Sequence, residues 1–235
     1  MVGSEGEADG AEHRGLFITL EGPDGSGKSS LLRRLTEVLA AAGCDVVPTR
    51  EPGSTPLGEQ MRRLVLDTEP KIDRTGRADA LLFAASRAQH VHEVIRPALA
   101  RGAVVVCDRY ADSSMAYQGA GSGVPMDELW AVQRFATGGL VPDLTILLDL
   151  PVEAGLARKA AEVTRFEAYQ DLAYHERVRA AFLGFAEAEP NRYAIVDATQ
   201  DEEAVVAAAV RTLSRVAGRQ PCLGAAVAAL DAARR

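Results

Sequence analysis

The sequence reads Gly22-Pro23-Asp24-Gly25-Ser26-Gly27-Lys28-Ser29 between its first apolar run and its first helical pattern. These eight residues fit G-x-x-x-x-G-K-[ST] at every fixed position. The apolar run before them, residues 16–20, has the length of a strand, and the leucines that follow from residue 31 recur at helical spacing. A strand before the pattern and a helix after it are the context of a phosphate-binding loop. The alternative is a glycine-rich turn that only happens to precede a helix.

The residue types of this loop suit the binding of a nucleotide. Its glycines let the backbone curl so that several N–H groups point at one anion, and the N-terminus of the following helix adds partial positive charge. Lys28 is expected to reach the β- and γ-phosphates, and the Ser29 hydroxyl is expected to bind Mg²⁺. The predicted phosphate-binding residues are Gly22, Pro23, Asp24, Gly25, Ser26, Gly27, Lys28, Ser29 and Ser30.

Composition bounds the class of protein. The chain has 235 residues, 47% hydrophobic and 25% charged, which is ordinary for a globular protein without a membrane span. Its formal net charge of −7 argues against a general affinity for nucleic acid. Residues 1–14 are polar and acidic, so we expect a disordered lead-in and no secretory signal. The three cysteines are far apart and show no metal spacing or disulfide framework, which predicts a reducing cytoplasm.

The order of strand and helix patterns predicts the fold. Strand patterns at 16–20, 44–49, 103–107, 144–150 and 193–196 alternate with helical patterns. This predicts an α/β fold like that of P-loop NTPases, in three layers, with a mainly parallel five-stranded sheet covered by helices on both faces. We expect one domain over residues 15–218 and a tail at 219–235 that is able to form a helix. Within the domain we expect a polar loop from 111 to 123 and a kink or helix end at Pro97.

Further candidate residues follow the ends of predicted strands, where parallel sheets bind ligands. Asp108 closes a strand and could hold Mg²⁺ through water or position Ser29, and Arg109 could clamp a second phosphate. The alternative is a structural ion pair. Phe83 and Arg87 lie four apart on one helix face, where a ring and a guanidinium could contact a base. Taken alone, Phe83 would be an ordinary core residue.

A basic segment between two helical patterns predicts a mobile lid at about 158–168. It contains Arg158, Lys159, Arg165 and Glu167. Such a segment could close over a polyphosphate. The alternative is a solvated helix end.

Taken together, these motifs resemble the thymidylate kinase family over about residues 16–216. The resemblance rests on ordered motifs: the loop at 21–29, the Thr-Arg-Glu-Pro-Gly-Ser-Thr segment at 49–55, the helix at 82–90, the Asp-Arg-Tyr segment at 108–110 with 113–119, the segment at 148–153, and the lid residues 164–167. It implies ATP as co-substrate, Mg²⁺ as cofactor, dTMP as acceptor and a homodimer. From the charge and composition we expect no nucleic-acid and no membrane partner.

The resemblance also implies a role for each matching residue. Phe83 would stack on thymine, Arg87 would bond its edge, Asp24 would bond the sugar 3′-hydroxyl, and Arg109 with Arg50 would hold the dTMP phosphate. Ser114, Tyr117 and Gln118 would line the thymine and deoxyribose pocket. The implied catalytic residues are Lys28, Arg109, Arg158 and Arg165, and the implied metal-binding residues are Ser29, Asp108 and Glu167.

Two positions depart from the family pattern, and two other functions remain open. In the family, the catalytic arginine lies either in the phosphate-binding loop or in the lid. Gly25 and Ser26 are not basic, so its role is expected to fall to a basic residue of the lid, Arg158, Lys159 or Arg165. Ser54 stands where the family has a second glycine, which leaves the local backbone shape open. The other functions are a kinase for a different small acceptor and a nucleotide-binding switch with little turnover.

Overall fold

The sheet of the computed structural model is parallel throughout. The model describes residues 15–66, 73–159 and 171–232. The strands are β1 (Leu16–Glu21), β2 (Val46–Arg50), β3 (Val104–Asp108), β4 (Leu144–Asp149) and β5 (Tyr193–Asp197). Their order is β2-β3-β1-β4-β5, with four parallel pairs. The predicted five-stranded parallel sheet is confirmed, and the strand that precedes the phosphate-binding loop lies at its centre.

Helices cover both faces of this sheet. They are α1 (Lys28–Ala41), α2 (Pro56–Leu66), α3 (Gly76–His90), α4 (Arg96–Ala100), α5 (Ala111–Ser114), α6 (Met126–Thr137), α7 (Val152–Lys159), α8 (Leu172–Ala188), α9 (Glu202–Thr212) and α10 (Pro221–Ala232). Alternate residues of β1 point to opposite faces. Ile18 belongs to the core formed with α1, α9 and α10, whereas Phe17 belongs to the core formed with Ile95 and Leu99. The predicted three layers are therefore present.

The helix that contains Pro97 does not end there, so the predicted helix end at this position is wrong. Between α3 and α4 the chain makes a wider π-helical turn, Val91–Ile95, and the N–H of Arg96 bonds the carbonyl of Val91. Pro97 then lies in the first turn of α4, where a missing N–H costs little. The chain therefore stays helical through the proline as far as Ala100.

The segment predicted as a polar loop at 111–123 is mostly helical, so that prediction is also wrong. α5 leads into a π-helical turn, Met115–Gly121, and nearly every residue of the two is buried. Met115 and Ala116 supply apolar packing, while Ser114, Tyr117 and Gln118 line a cavity. The polar residues that face the cavity interrupt the apolar pattern of this buried helix. The sequence therefore resembles that of a loop exposed to solvent.

Two cysteines that are distant in the sequence form a disulfide, which contradicts the prediction that no disulfide framework is present. Cys44 follows α1, and Cys222 lies in α10, 178 residues later. α10 packs on α1, which brings their Cα atoms to 5.4 Å. Linear spacing could not reveal this pair. Cys107 is buried and free. Among the described residues no helix has the length and apolar character that a bilayer crossing requires.

Candidate active site

The phosphate-binding loop connects the central strand to α1 and depends on two close backbone approaches. A Cβ on Gly22 would meet the carbonyl oxygen of Leu148 at 2.3 Å, and one on Gly25 would meet that of Gly155 at 2.0 Å. Both glycines have positive φ, 140° and 72°. Glycine is required at both positions for space and for conformation. The loop therefore fits tightly against the end of β4 and against α7, and it directs the N-terminus of α1 into the cavity.

Lys28 is buried within its own loop. Its Nζ donates to the carbonyl oxygens of Gly22 (3.0 Å) and Pro23 (2.7 Å) and to Oγ of Ser26 (3.0 Å). Burial, followed by the positive charge of Arg109, lowers the pKa of Lys28 to about 7. A phosphate anion beside this ammonium would favour its charged form. The side chain thus lies ready to exchange acceptors of the loop for oxygens of a ligand.

Ser29 and Asp108 join the start of α1 to the end of β3. Oγ of Ser29 donates to Oδ2 of Asp108 over 2.8 Å. Hydroxyl and carboxylate oxygens are the ligands that Mg²⁺ prefers, and these two are near enough to serve one cation. The residues present therefore fit a magnesium ion at this position. Glu167, the third predicted metal ligand, lies outside the described residues.

Arg109 connects the loop to the other half of the cavity. Its Nη1 donates to the carbonyl oxygen of Gly22 (3.2 Å) and Oγ of Ser113 (3.0 Å), and its Nη2 donates to Oδ1 of Asp24 (2.8 Å) and the hydroxyl of Tyr117 (3.1 Å). Burial alone would lower the pKa of Arg109, but Tyr117 and Asp24 raise it above the usual range. The guanidinium is therefore a permanent cation at the centre of the site.

Glu21 is a buried carboxyl group for which no role was predicted. It accepts hydrogen bonds from the N–H of Tyr110 (2.8 Å) and from the N–H (3.3 Å) and hydroxyl (2.6 Å) of Ser113. Burial, then the nearby charge of Asp112, raises the pKa of Glu21 to about 7. These bonds fix the turn that follows Arg109. The sequence feature that could have indicated Glu21 is an acidic residue directly after the mainly apolar run of β1.

Arg87 is more deeply engaged with the protein than the sequence suggested. It is 2% exposed. Its Nε donates to Oε2 of Glu51 (2.6 Å), its Nη1 to Oγ of Ser114 (3.1 Å) and Oε1 of Gln133, and its Nη2 to the carbonyl oxygen of Tyr110 (2.9 Å). It nevertheless lines the same cavity as Phe83. Four protein partners hold the guanidinium at the wall of the cavity.

Arg50 is the last residue of β2, and Ser54 lies in the loop that follows. Nη2 of Arg50 donates to both oxygens of Glu59 at 3.2 and 3.3 Å. Ser54, which departs from the family pattern, has φ 64° and donates its hydroxyl to the carbonyl oxygen of Arg50 (3.0 Å). It thus adopts the left-handed conformation that a glycine would take, and its own side chain helps to hold the turn.

The end of α7 carries the described part of the predicted lid. Nη1 of Arg158 donates to the carbonyl oxygen of Ala198 over 2.9 Å, and the side chain lines the cavity. The side chain of Lys159 and all of Arg165 lie outside what the structure describes, as do the other lid residues from 160 on.

One cavity of about 530 Å³ collects most of the predicted residues. Gly22, Pro23 and Ser26 do not line it, because they form the buried back of the phosphate-binding loop. The predicted residues that line it are Asp24, Gly25, Gly27, Lys28, Ser29, Ser30, Arg50, Phe83, Arg87, Asp108, Arg109, Ser114, Tyr117, Gln118 and Arg158.

Five residues to which the sequence analysis assigned no role also line this cavity. They are Glu51, Pro52, Arg62, Leu66 and Ser113. Arg62 of α2 donates to the carbonyl oxygen of Pro52 over 2.9 Å. Burial, with the charge of Arg50, lowers its pKa. An arginine on an amphipathic helix gives no sequence signal of its own, whereas Glu51 stood inside a recognised motif.

Comparison with known proteins gives a consistent result. The family model for thymidylate kinase matches residues 20–209. The thymidylate kinase of Deinococcus radiodurans is 53% identical over 192 residues, which is 81% of this chain and 92% of that protein. That of Thermomicrobium roseum is 50% identical over 206 residues, 86% of this chain and 96% of that protein. A crystal structure of thymidylate kinase from Ehrlichia chaffeensis superposes with a TM-score of 0.71 at 29% identity, covering 85% of this chain and 98% of that one.

Proposed function

The chain belongs to the thymidylate kinase family and is a kinase that phosphorylates dTMP, and we propose that the cavity beside the phosphate-binding loop is where ATP and dTMP meet. One observation carries this proposal. Lys28 of the loop and Arg87 at the base end line the same cavity, and Arg109 hydrogen-bonds both the loop and Tyr117. A donor phosphate and an acceptor nucleotide in this cavity would be near enough for direct transfer.

ATP binds through the loop at residues 22–30 in this proposal. Backbone N–H groups at the N-terminus of α1 hold the phosphates, and Lys28 moves from its carbonyl partners to the transferring phosphoryl group. Arg158 from α7, together with Arg165 from the lid, adds positive charge. The lid around 158–168 is proposed as part of a single kinase domain spanning 15–218.

dTMP occupies the other end of the cavity. Phe83 stacks on thymine, and Arg87 bonds its edge. Arg109 holds the phosphate, because its fork of donors lies between the loop and Tyr117. Three more elements complete the pocket in this proposal: Asp24 at the sugar 3′-hydroxyl, Arg50 at the phosphate, and the set Ser114, Tyr117 and Gln118 around the ring and deoxyribose.

Ser29 and Asp108 would hold Mg²⁺ with ATP, and Glu167 would approach the same ion. When bound, this ion would offset negative charge on the phosphates. The oxygen donor set fits it: Ser29 and Asp108 are already joined at 2.8 Å. Mg²⁺ is therefore the proposed cofactor.

The reaction requires little covalent chemistry from the protein. An oxygen of the dTMP phosphate attacks the γ-phosphorus of ATP, and the bond from that phosphorus to the bridging oxygen breaks to release ADP. The attacking phosphate is already ionised at neutral pH, so no general base is needed. Lys28 and the arginines offset the charge that develops during transfer.

A homodimer is proposed from exposed apolar side chains on three helices that pack side by side, α2, α3 and α6. Phe135 of α6 is 90% exposed, and Leu81 of α3 is 59% exposed. Trp130 and Leu64 extend this surface. A second copy would remove this surface from water.

A cytoplasmic location is proposed from the substrates alone. The sequence analysis inferred a reducing compartment from the lack of a disulfide framework, and the Cys44–Cys222 disulfide removes that reason.

The test is a panel of acceptors with ATP, with and without Mg²⁺. We expect ADP release with dTMP, much less with dCMP, dGMP or thymidine, and none after Mg²⁺ is chelated. Faster turnover with another acceptor would favour a kinase of different specificity. ATP binding without acceptor-dependent ADP release would favour a nucleotide-binding switch.

A further inference from the structure

Behind the base end of the cavity lies a buried chain of hydrogen bonds that the proposed reaction does not use. Nε2 of His90 lies 2.6 Å from Oγ1 of Thr49, and Nδ1 of His90 lies 2.9 Å from Oε1 of Glu51. The other oxygen of Glu51, Oε2, accepts from Nε of Arg87 over 2.6 Å. All four residues are buried, and His90 is 0% exposed. The chain therefore runs from β2 to the wall of the cavity through buried side chains.

The spacing on α3 explains how this chain is held. Arg87 and His90 are one helical turn apart, so they lie on the same face of α3 and grip the two oxygens of one carboxylate. A carboxylate only accepts hydrogen bonds, so Nδ1 of His90 is the donor to Glu51. This fixes the orientation of the Glu51 carboxylate and, through it, the plane of the Arg87 guanidinium.

The partners of Arg87 leave one of its N–H groups for a ligand. An arginine has five N–H donors. Four of those of Arg87 are engaged, by Glu51, Ser114, Gln133 and the carbonyl of Tyr110. Within the described part of the chain, the second N–H of Nη2 has no partner. Since Arg87 lines the cavity, a base there would meet a donor of fixed direction.

We infer that Glu51 and His90 are positioning residues that select bases with a carbonyl oxygen, rather than an amino group, opposite Arg87. The inference rests on the proposed placement of the base against Arg87. Thymine presents a carbonyl at the position where cytosine presents an amino group. A donor held in a fixed direction can hydrogen-bond the carbonyl oxygen of thymine. With cytosine the same donor would face an amino group, which is also a donor, and no hydrogen bond could form. If the guanidinium could rotate, this discrimination would weaken.

The experiment compares His90→Leu, which removes the donor to Glu51, with His90→Asn, which can return an N–H near the position of Nδ1. We expect His90→Leu to raise KM for dTMP about tenfold, the value of one hydrogen bond to a charged group. Its preference for dTMP over dCMP should fall by a similar factor, whereas KM for ATP should stay within about twofold. His90→Asn should recover most of both losses.

Ser86→Ala is the matched control. Ser86 neighbours Arg87 on α3, and its buried hydroxyl has no hydrogen-bond partner within the described structure. Its removal should leave both KM values and the dTMP preference unchanged. An equal loss of kcat with every acceptor in His90→Leu, without a change in preference, would assign His90 a structural role only and overturn the inference.

Two more variants keep the outcome decisive. If His90→Leu does not fold, Glu51→Gln is judged by the same criteria, because it keeps the shape of the side chain but weakens its grip on Arg87. Arg87→Lys separates this inference from the proposed site. An unchanged KM for dTMP in Arg87→Lys would refute the placement of the base itself, whereas a raised KM there with a normal His90→Leu enzyme would refute only the positioning role.

Discussion

The hydroxyl of Ser29 donates a 2.8 Å hydrogen bond to Oδ2 of Asp108, which ties the first turn of α1 to the end of β3. If this pair holds Mg²⁺, Asp108→Asn should raise the Mg²⁺ concentration for half-maximal activity by about tenfold or more. The measurement is a magnesium titration at saturating ATP and dTMP. Asp149→Asn is the control, because Asp149 ends β4 at the same edge of the sheet but pairs with Arg179. An unchanged titration for Asp108→Asn would refute its role with the metal.

Lys28 lies in the loop that is proposed to hold the transferring phosphate. We expect Lys28→Ala to lower kcat by at least about a hundredfold, because a preorganised charge is lost where negative charge develops. The fold should persist, since close backbone contacts at Gly22 and Gly25 hold the loop independently of the lysine side chain. Steady-state kinetics and circular dichroism measure the two effects. Turnover close to that of the unchanged enzyme would remove Lys28 from the mechanism.

Arg109 serves four acceptors with one planar group. Lysine keeps the charge but cannot reproduce this fork. Arg109→Lys should therefore raise KM for dTMP by about tenfold and lower kcat as well. Arg179→Lys changes an ion-paired arginine outside the cavity and should leave both constants unchanged. Equal kinetics for the two variants would argue against a phosphate contact at Arg109.

Glu21 should make stability depend on pH in a defined direction. Its pKa is raised to about 7 in the folded state from 4.5, so the folded protein binds more protons than the unfolded chain between these values. The contribution of Glu21 is therefore fully present below about 4.5 and is lost as the pH rises through about 7. We expect the free energy of unfolding, relative to that of Glu21→Gln, to fall across this window in urea titrations. A relative free energy that rises with pH would mean that the carboxylate is favoured by folding.

The Cys44–Cys222 disulfide closes a long loop but lies far from the chemistry. It joins the C-terminal end of α1 to α10, whereas Lys28 begins α1. Cys222→Ser should lower the free energy of unfolding by about 2–5 kcal/mol, chiefly by freeing the unfolded chain, and should leave kcat unchanged. Urea unfolding with and without a reducing agent tests this, because reduced wild type should match the variant. Equal stability of oxidised and reduced protein would contradict the expectation.

The sheet and the phosphate-binding loop were predictable because their signals are local. The apolar runs of β1, β3 and β4 are buried on both faces, which leaves a continuous apolar pattern in the sequence. In the loop, Gly22 and Gly25 make close backbone contacts that only glycine permits. Most residues predicted for the site line one cavity for the related reason that parallel strands present their carboxyl ends at one edge.

The features that were not predicted from the sequence depend on contacts between residues that are distant along the chain. The polar pattern at 111–121 suggested a loop, because nothing local shows that its hydroxyls face a cavity instead of solvent. Arg87 was predicted to contact a base, but its hydrogen bonds to three other segments of the chain were not predicted. The Cys44–Cys222 bond depends on the packing of α10, whose alanine-rich sequence shows no amphipathic face.

Arg109 has a φ of 71°, a conformation that glycine adopts at ease and arginine does not. Strain of this kind costs about 1–3 kcal/mol. A glycine at 109 would relieve it, but it would also remove the ion pair with Asp24 and the bonds to Gly22, Ser113 and Tyr117, which is the larger loss. Arg109→Gly should therefore lower the free energy of unfolding, because the guanidinium that strains its own backbone also neutralises the acidic side chains around it.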